Sequence, residues 1–319
     1  MNTNKFFTLI SCKIILPLVI TLHLLSPIQH GCFAGDDKEI EKSTWSFVVY
    51  SDNRGSNPTH KAVLALIAKI KPELILNLGD VVFGDEEYGT LESFKKDVEE
   101  TWGDFASFNC IFYPTIGGHE ERYYNRSIYP PHGKEPDNQA GQKLYRDLEV
   151  KKRVAKFNEH YGDYYFKHKN VHFIMMYRSD EWKVKDQQVE WLTDVLNSIK
   201  DANPIVVAGH AGGWFLSNVE DANHEAVRKL LREHNVDIEL AADWHDYYAD
   251  TDGAILRMRS GSAGWGDALF IQFDVTDKNF IVTAFEPDGV TLFIGRPWIP
   301  SRWIKEFGKP AQEIEETTK

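Results

Sequence analysis

Six side chains in this sequence could bind cations or move protons together: Asp52, Asp80, His119, His210, Asp243 and His245. Each follows a short apolar run, at 45–50, 74–78, 111–113, 204–208 or 236–240. The ends of strands are where α/β sheets assemble their sites, so five polar loops fed by five buried strands would gather these groups at one edge. Carboxylates and imidazoles brought together hold divalent cations, and a histidine beside them can hand a proton to a leaving group. A lone aspartate or histidine in a loop is more often a cap or a turn former. Five such loops in chain order do not reduce to that.

The positioning elements are legible from periodicity. Residues 45–50 (Trp-Ser-Phe-Val-Val-Tyr) read as a buried strand that ends in Ser51-Asp52-Asn53-Arg54-Gly55. Asn57 can cap a helix with Pro58 in its first turn, and Val63, Leu66, Ile67 and Ile70 fall at helical spacing. Strands at 74–78 and 111–113 lead into Gly79-Asp80 and, through Pro114, into Gly117-Gly118-His119-Glu120. Residues 121–162 are polar and aromatic, with Pro130-Pro131 and Gly133, and read as an insertion near the mouth of the site carrying one charged helix over 144–157. Runs at 164–166 and 171–177 bracket a turn at Lys169-Asn170 and predict a hairpin. Val189, Leu192, Val195, Leu196 and Ile199 mark a helix before the strand at 204–208. A second helix, capped by Asn223 with Val227, Leu230 and Leu231 inward, precedes the strand at 236–240. Strands at 268–274, 280–286 and 290–293 follow, the last two joined by Pro287-Asp288-Gly289. Alternating strands and helices followed by consecutive strands predict an α/β fold with mixed sheets. Residues 298–319 read as a polar tail with only Trp303, Ile304 and Phe307 to dock it.

Composition narrows the class. Lys5 and Lys13 flank an apolar stretch at 14–25 that is short for a membrane span, and Cys32-Phe33-Ala34 offers a small-residue cleavage site. Residues 1–34 are therefore expected to be a signal peptide, and the protein to be exported to the periplasm or secreted, with no membrane attachment once the leader is removed. A lipid anchor on Cys32 is the weaker reading, because Gln29 stands where an aliphatic residue is expected. Loss of Cys12 and Cys32 leaves Cys110 alone, so no internal disulfide can staple the chain. About 285 residues remain, enough for one large domain or two small ones. The full sequence carries a net charge of −12, and removing two leader lysines and no acid takes this to −14. Such a balance argues against nucleic acid as a partner, and against a phosphate ester as substrate unless cations reverse the sign locally.

In chain order, Asp52-Asn53-Arg54, Gly79-Asp80-Val81-Val82, Gly117-Gly118-His119-Glu120, Gly209-His210 and Ala242-Asp243-Trp244-His245 resemble the five motifs of the calcineurin-like metallophosphoesterases. The likeness covers residues 46–293 and includes the loop Ser260-Gly261-Ser262-Ala263-Gly264. It implies a four-layer αββα sandwich with two mixed β-sheets over a domain at 44–297, and a centre of one or two divalent cations. By the same resemblance Asp80 bridges two ions, Asp52 and His245 serve the first, His210 serves the second with Asp243 in place of a histidine, and His119 protonates the leaving group. The departures are physical. Arg54 replaces a ligand histidine, and a guanidinium has no lone pair for a cation. Gly118 replaces a ligand asparagine. Phe83 stands where relatives of the purple acid phosphatase type place a ligand tyrosine.

The resemblance therefore implies an exported, metal-dependent phosphoesterase that hydrolyses a phosphate mono- or diester, small or macromolecular, by attack of a metal-activated hydroxide. Its expected ligands are Asp52, Asp80, His210, Asp243 and His245, its expected acid is His119, and Arg54 and Glu120 are expected at the substrate. The lost ligands point to an atypical, single-metal centre, with manganese, iron, zinc or calcium all compatible with the carboxylate and imidazole set. The alternative is a catalytically inactive member of the fold that binds a phosphate-containing ligand or partner.

Overall fold

Alternation along β1 (Trp45–Tyr50) decides its place: Trp45, Phe47 and Val49 join one apolar cluster while Val48 and Tyr50 join another, so the strand is buried on both faces. The chain then forms α1 (Pro58–Ile70), β2 (Leu74–Asn77) and β3 (Ile111–Pro114). Asn57 caps α1 as expected, its side chain accepting from the His60 N–H with Pro58 in the first turn. Next come α2 (Val150–Arg153), β4 (Lys156–Phe157), β5 (Tyr164–His168), β6 (Val171–Met176), α3 (Asp186–Ser198), β7 (Ile205–Gly209), α4 (Ala222–Glu233) and β8 (Ile238–Ala241). The described chain closes with β9 (Tyr248–Asp252), β10 (Ile255–Arg259), β11 (Phe270–Val275), β12 (Asn279–Phe285), β13 (Arg302–Glu306) and β14 (Gln312–Glu313). The computed structural model describes residues 43–82, 96, 99–101, 103, 110–119, 150–177, 184–210, 222–264, 269–285 and 302–314. All lie in one compact unit, Glu41–Lys319. Among them no helix is long and apolar enough to cross a membrane.

Among the described residues two mixed seven-stranded sheets result, ordered β14-β13-β12-β11-β1-β2-β3 and β4-β5-β6-β7-β8-β10-β9. Odd residues of β1 and even residues of β7 and β8 meet in a shared cluster, so the sheets pack face to face. Phe47 stacks on Phe273 at 4.6 Å within its own sheet and meets Phe173 of the other edge-on at 5.2 Å. Truncating it to alanine should cost about 3–5 kcal/mol. The outer faces are covered in turn: α1 packs on the first sheet through Val63, Leu64 and Ile67, and α3 and α4 on the second through Leu192, Val195, Val227 and Leu231. The order of layers is helix, sheet, sheet, helix. Strands β1, β2 and β3 are mutually parallel, as are β6, β7 and β8.

Three expectations need correction, and one element went unforeseen. The helix over 144–157 ends at Arg153 in the described residues, because the Ala155 N–H donates to Tyr165 O and Lys156–Phe157 pairs with β5. Asn223 lies within α4 rather than at its cap; its amide donates to Val184 O and Asp186 Oδ1, tying α4 to the start of α3. The hairpin of β9 and β10 was not expected at all. The supposed polar tail supplies β13 and β14. Trp303 packs in the central core, and Lys305, fully buried, donates to Asp237 Oδ1 at 2.7 Å, an oxygen that also accepts from the Gly308 N–H. A buried ammonium is tolerated because it is paired. The strand expected at 290–293 lies outside the described residues, as do 1–34 and most of 121–162.

Candidate metal and phosphate centre

The parallel strands β1, β2, β3, β7 and β8 each release one candidate side chain or pair just beyond their C-terminal ends. Their loops are held in conformations that L-residues avoid. Among the described residues eight non-glycines have positive φ, and five of them are Asp52 (51°), Arg54 (47°), Asp80 (52°), Asp243 (74°) and His245 (58°). Each costs about 1–2 kcal/mol, and such strain gathers where function over-determines the backbone.

Backbone and amide contacts hold the loops in register. The Asp52 N–H donates to Gly79 O, and the Arg54 and Gly55 N–H groups donate to Asp80 O and Val81 O. Beneath them Asn77 Nδ2 donates to Asn53 Oδ1, and Asn53 Nδ2 to Val81 O. Ser262 Oγ donates to Asp52 O, which joins the loop after β10 to the set. Gly117 approaches Asp80 closely: a Cβ there would stand 2.3 Å from Asp80 N and Oδ1 and 3.0 Å from His210 Cε1. Gly79, at φ 97°, would meet Gly117 and His210 in the same way.

Asp80 is the hub. Its Oδ1 accepts from the His119 N–H at 2.8 Å and lies 3.1 Å from His210 Nε2; its Oδ2 lies 3.5 Å from His119 Nε2 and 3.8 Å from Arg54 Nη2. Burial alone would raise the Asp80 carboxyl, but the charge of His210, then the charge and backbone N–H of His119, hold it well below the usual carboxylate range. Burial likewise opposes a charge on His210, yet Asp80, Asp243 and Asp52 hold its pKa well above the ordinary value. On its other side His210 Nδ1 donates to Leu78 O at 2.7 Å, which aims Nε2 at Asp80 and, at 3.6 Å, Asp243 Oδ1. Across the site Asp52 Oδ1 stands 3.2 Å from His245 Nε2, and Arg54 Nη2 donates to that same nitrogen at 3.1 Å.

Two groups of ligand atoms emerge, each within 4.8 Å internally and sharing Asp80: Asp52, Asp80 and His245, and Asp80, His210 and Asp243. All five sequence-expected ligands, Arg54 and His119 are thus brought together. Glu120, like Phe83, lies outside the described residues. Asp52 Oδ1 and His210 Nε2 are buried without a hydrogen-bond partner. Such orphaned atoms, in a set of carboxylate and imidazole donors, fit a divalent cation. Sequence reasoning missed the parts played by Asn53 and Asn77, whose signal was only that polar residues sit at or just past the ends of otherwise apolar strands. It also gave no sign that Arg54 reaches His245.

Residues 46–247 match a family model described as calcineurin-like phosphoesterase. No curated protein matches in sequence. Among solved structures the chain is similar to a dimetal phosphatase from Danio rerio, with 13% identity and a TM-score of 0.59, covering 83% of this chain and 100% of that one. It is also similar to a purple acid phosphatase from yellow lupin (Lupinus luteus) seeds, with 13% identity and a TM-score of 0.59, covering 79% of this chain and 53% of that one. A third is the anchor of the inner membrane complex of Plasmodium, at 12% identity and a TM-score of 0.54, covering 87% and 90%. At these identities the likeness is one of fold.

Proposed function

We propose a function on one premise: this chain belongs to the calcineurin-like phosphoesterase family. It is an exported phosphoesterase that hydrolyses a phosphate mono- or diester with one protein-held divalent cation and the fixed charge of Arg54. The observation that carries the reading is the place of that guanidinium, with Nη2 3.1 Å from His245 Nε2 and 3.8 Å from Asp80 Oδ2. It stands within the Asp52, Asp80 and His245 group and leaves the Asp80, His210 and Asp243 group to hold a cation.

A divalent cation held there supplies positive charge to phosphoryl oxygens and acidifies water. The chain's own residues do the rest. Arg54 offers a planar fork of donors to the phosphoryl oxygens, the geometry that clamps phosphate best. Asp80 fixes the His119 loop through the backbone N–H and faces the ring at Nε2. His119, 4% exposed, would give a proton to the leaving oxygen. Asp52 stands 3.2 Å from the His245 nitrogen that accepts from Arg54 and adds its negative charge to that side of the site.

The test is hydrolysis of an aryl phosphate across added manganese, zinc, iron and calcium. The expected result is cation-dependent turnover that Asp80→Asn and His210→Ala both abolish. Turnover that persists in chelator would overturn the reading. A second reading has its own support, since Arg54, His245, Asp52 and Asp80 already satisfy much of one another's charge, and one structural neighbour is an anchor protein. Vanadate binding without turnover under every cation would favour it.

A further inference from the structure

Between Asp243 and His245 stands Trp244, 51% exposed and the one large apolar side chain so exposed among the described residues. An indole held open to solvent at this edge contributes little to the core. It is nevertheless built in place. The Arg259 guanidinium lies over its ring, 5.1 Å from the centroid, and also over Tyr248 at 5.5 Å. Arg259 is itself 5% exposed, ends β10 opposite Ala241 of β8, and pairs with Asp246 at 2.6 Å. A buried arginine so fixed makes a rigid support for one face of the indole. The Trp244 N–H donates to Ala242 O at 3.0 Å, and the positive φ of Asp243 and His245 on either side fixes the backbone that carries the ring.

We infer that Trp244 is a stacking platform for the alcohol portion of the substrate, and that the favoured esters are those whose alcohol carries a planar aromatic ring, as nucleoside monophosphates do. This rests on the proposed phosphate site and extends it. Trp244 lies between two candidate ligands in the chain, and the Asp243 charge reaches the Arg259 guanidinium over its ring, which sets the indole on the rim of the phosphate site, where the rest of an ester would extend. An aromatic face recognises any flat ring without reading its edges, so the selectivity is for aromaticity rather than for one base. The acidic loop suits this: a neutral ring brings no charge toward Asp243 and Asp246.

The experiment compares adenosine 5′-monophosphate, ribose 5-phosphate, inorganic phosphate and adenosine as ligands of the manganese-loaded full chain by titration calorimetry. Wild type should bind adenosine monophosphate about tenfold or more tightly than ribose phosphate. Trp244→Ala should remove that preference while leaving inorganic phosphate unchanged, and Trp244→Phe should keep most of it. Circular dichroism checks that each variant is folded. Equal affinities in wild type, or a preference that survives in Trp244→Ala, would overturn the inference. If inorganic phosphate does not bind, the proposed phosphate site fails on its own. The platform is then judged by adenosine, where binding that depends on Trp244 upholds it and binding that does not refutes it.

Discussion

Replacing Arg54 by alanine should destabilise the metal-free protein and sensitise it to added cation. The guanidinium is 13% exposed and faces Asp80, 2% exposed, at 3.8 Å, with Asp52 fully buried beyond His245. At an effective dielectric of about 20, a pair at that separation interacts by roughly 4 kcal/mol. Removing one partner of a buried pair costs about 3–5 kcal/mol, because the remaining charges are left uncompensated. For a chain of this size about 2 °C of Tm accompanies each kcal/mol, so thermal unfolding in chelator should fall by about 6–10 °C. Manganese at a hundredfold excess over its dissociation constant returns about 2.7 kcal/mol. The variant, with the Asp52, Asp80 and His245 group now open, should therefore gain more from manganese than wild type does. The assay is differential scanning fluorimetry with chelator or graded manganese. A fall under about 2 °C in chelator, or identical manganese responses, would refute the placement of Arg54 as the internal cation.

Other expectations follow from the same geometry. His119→Ala should slow poor leaving groups by about 10² to 10⁴ and nitrophenolate much less, and equal losses in steady-state assays would deny it the role of acid. Gly117→Ala should cut cation affinity at least about tenfold in a chelator competition, since its Cβ would overlap Asp80, while Gly103→Ala, which meets nothing within 4 Å, should leave it unchanged. Glu239 is buried with Oε1 unpartnered, and burial pushes its carboxyl from 4.5 to about 8, Arg257 opposing and Asp252 reinforcing. Between those values the folded chain holds a proton that the unfolded chain has lost, so stability falls as pH rises through this window, by about 1.4 kcal/mol per unit at most. Glu239→Gln should flatten that slope in urea titrations from pH 5 to 8.

Much of this was legible because the local pattern carried it. The strands before Asp52, Asp80 and His210 are buried on both faces, so they read as largely apolar runs, and the loops stood out by contrast. Where burial depends on a distant partner, local pattern fails. Lys305 looks like a surface residue until Asp237, 68 positions earlier, neutralises it. Arg257 and Asp250 pair across the hairpin of β9 and β10, and together they disguise two strands as a polar loop. The candidate residues could be named from sequence, but not the way Arg54 crosses to His245, because a long side chain's direction is fixed by the positive φ beneath it.

The most direct measurement is the metal content of the full chain, purified without chelator and reconstituted with manganese, read by mass spectrometry of the dialysed protein. One cation per chain is the predicted result, held by Asp80, His210 and Asp243 beside the charge of Arg54. No bound cation, or two, would contradict it.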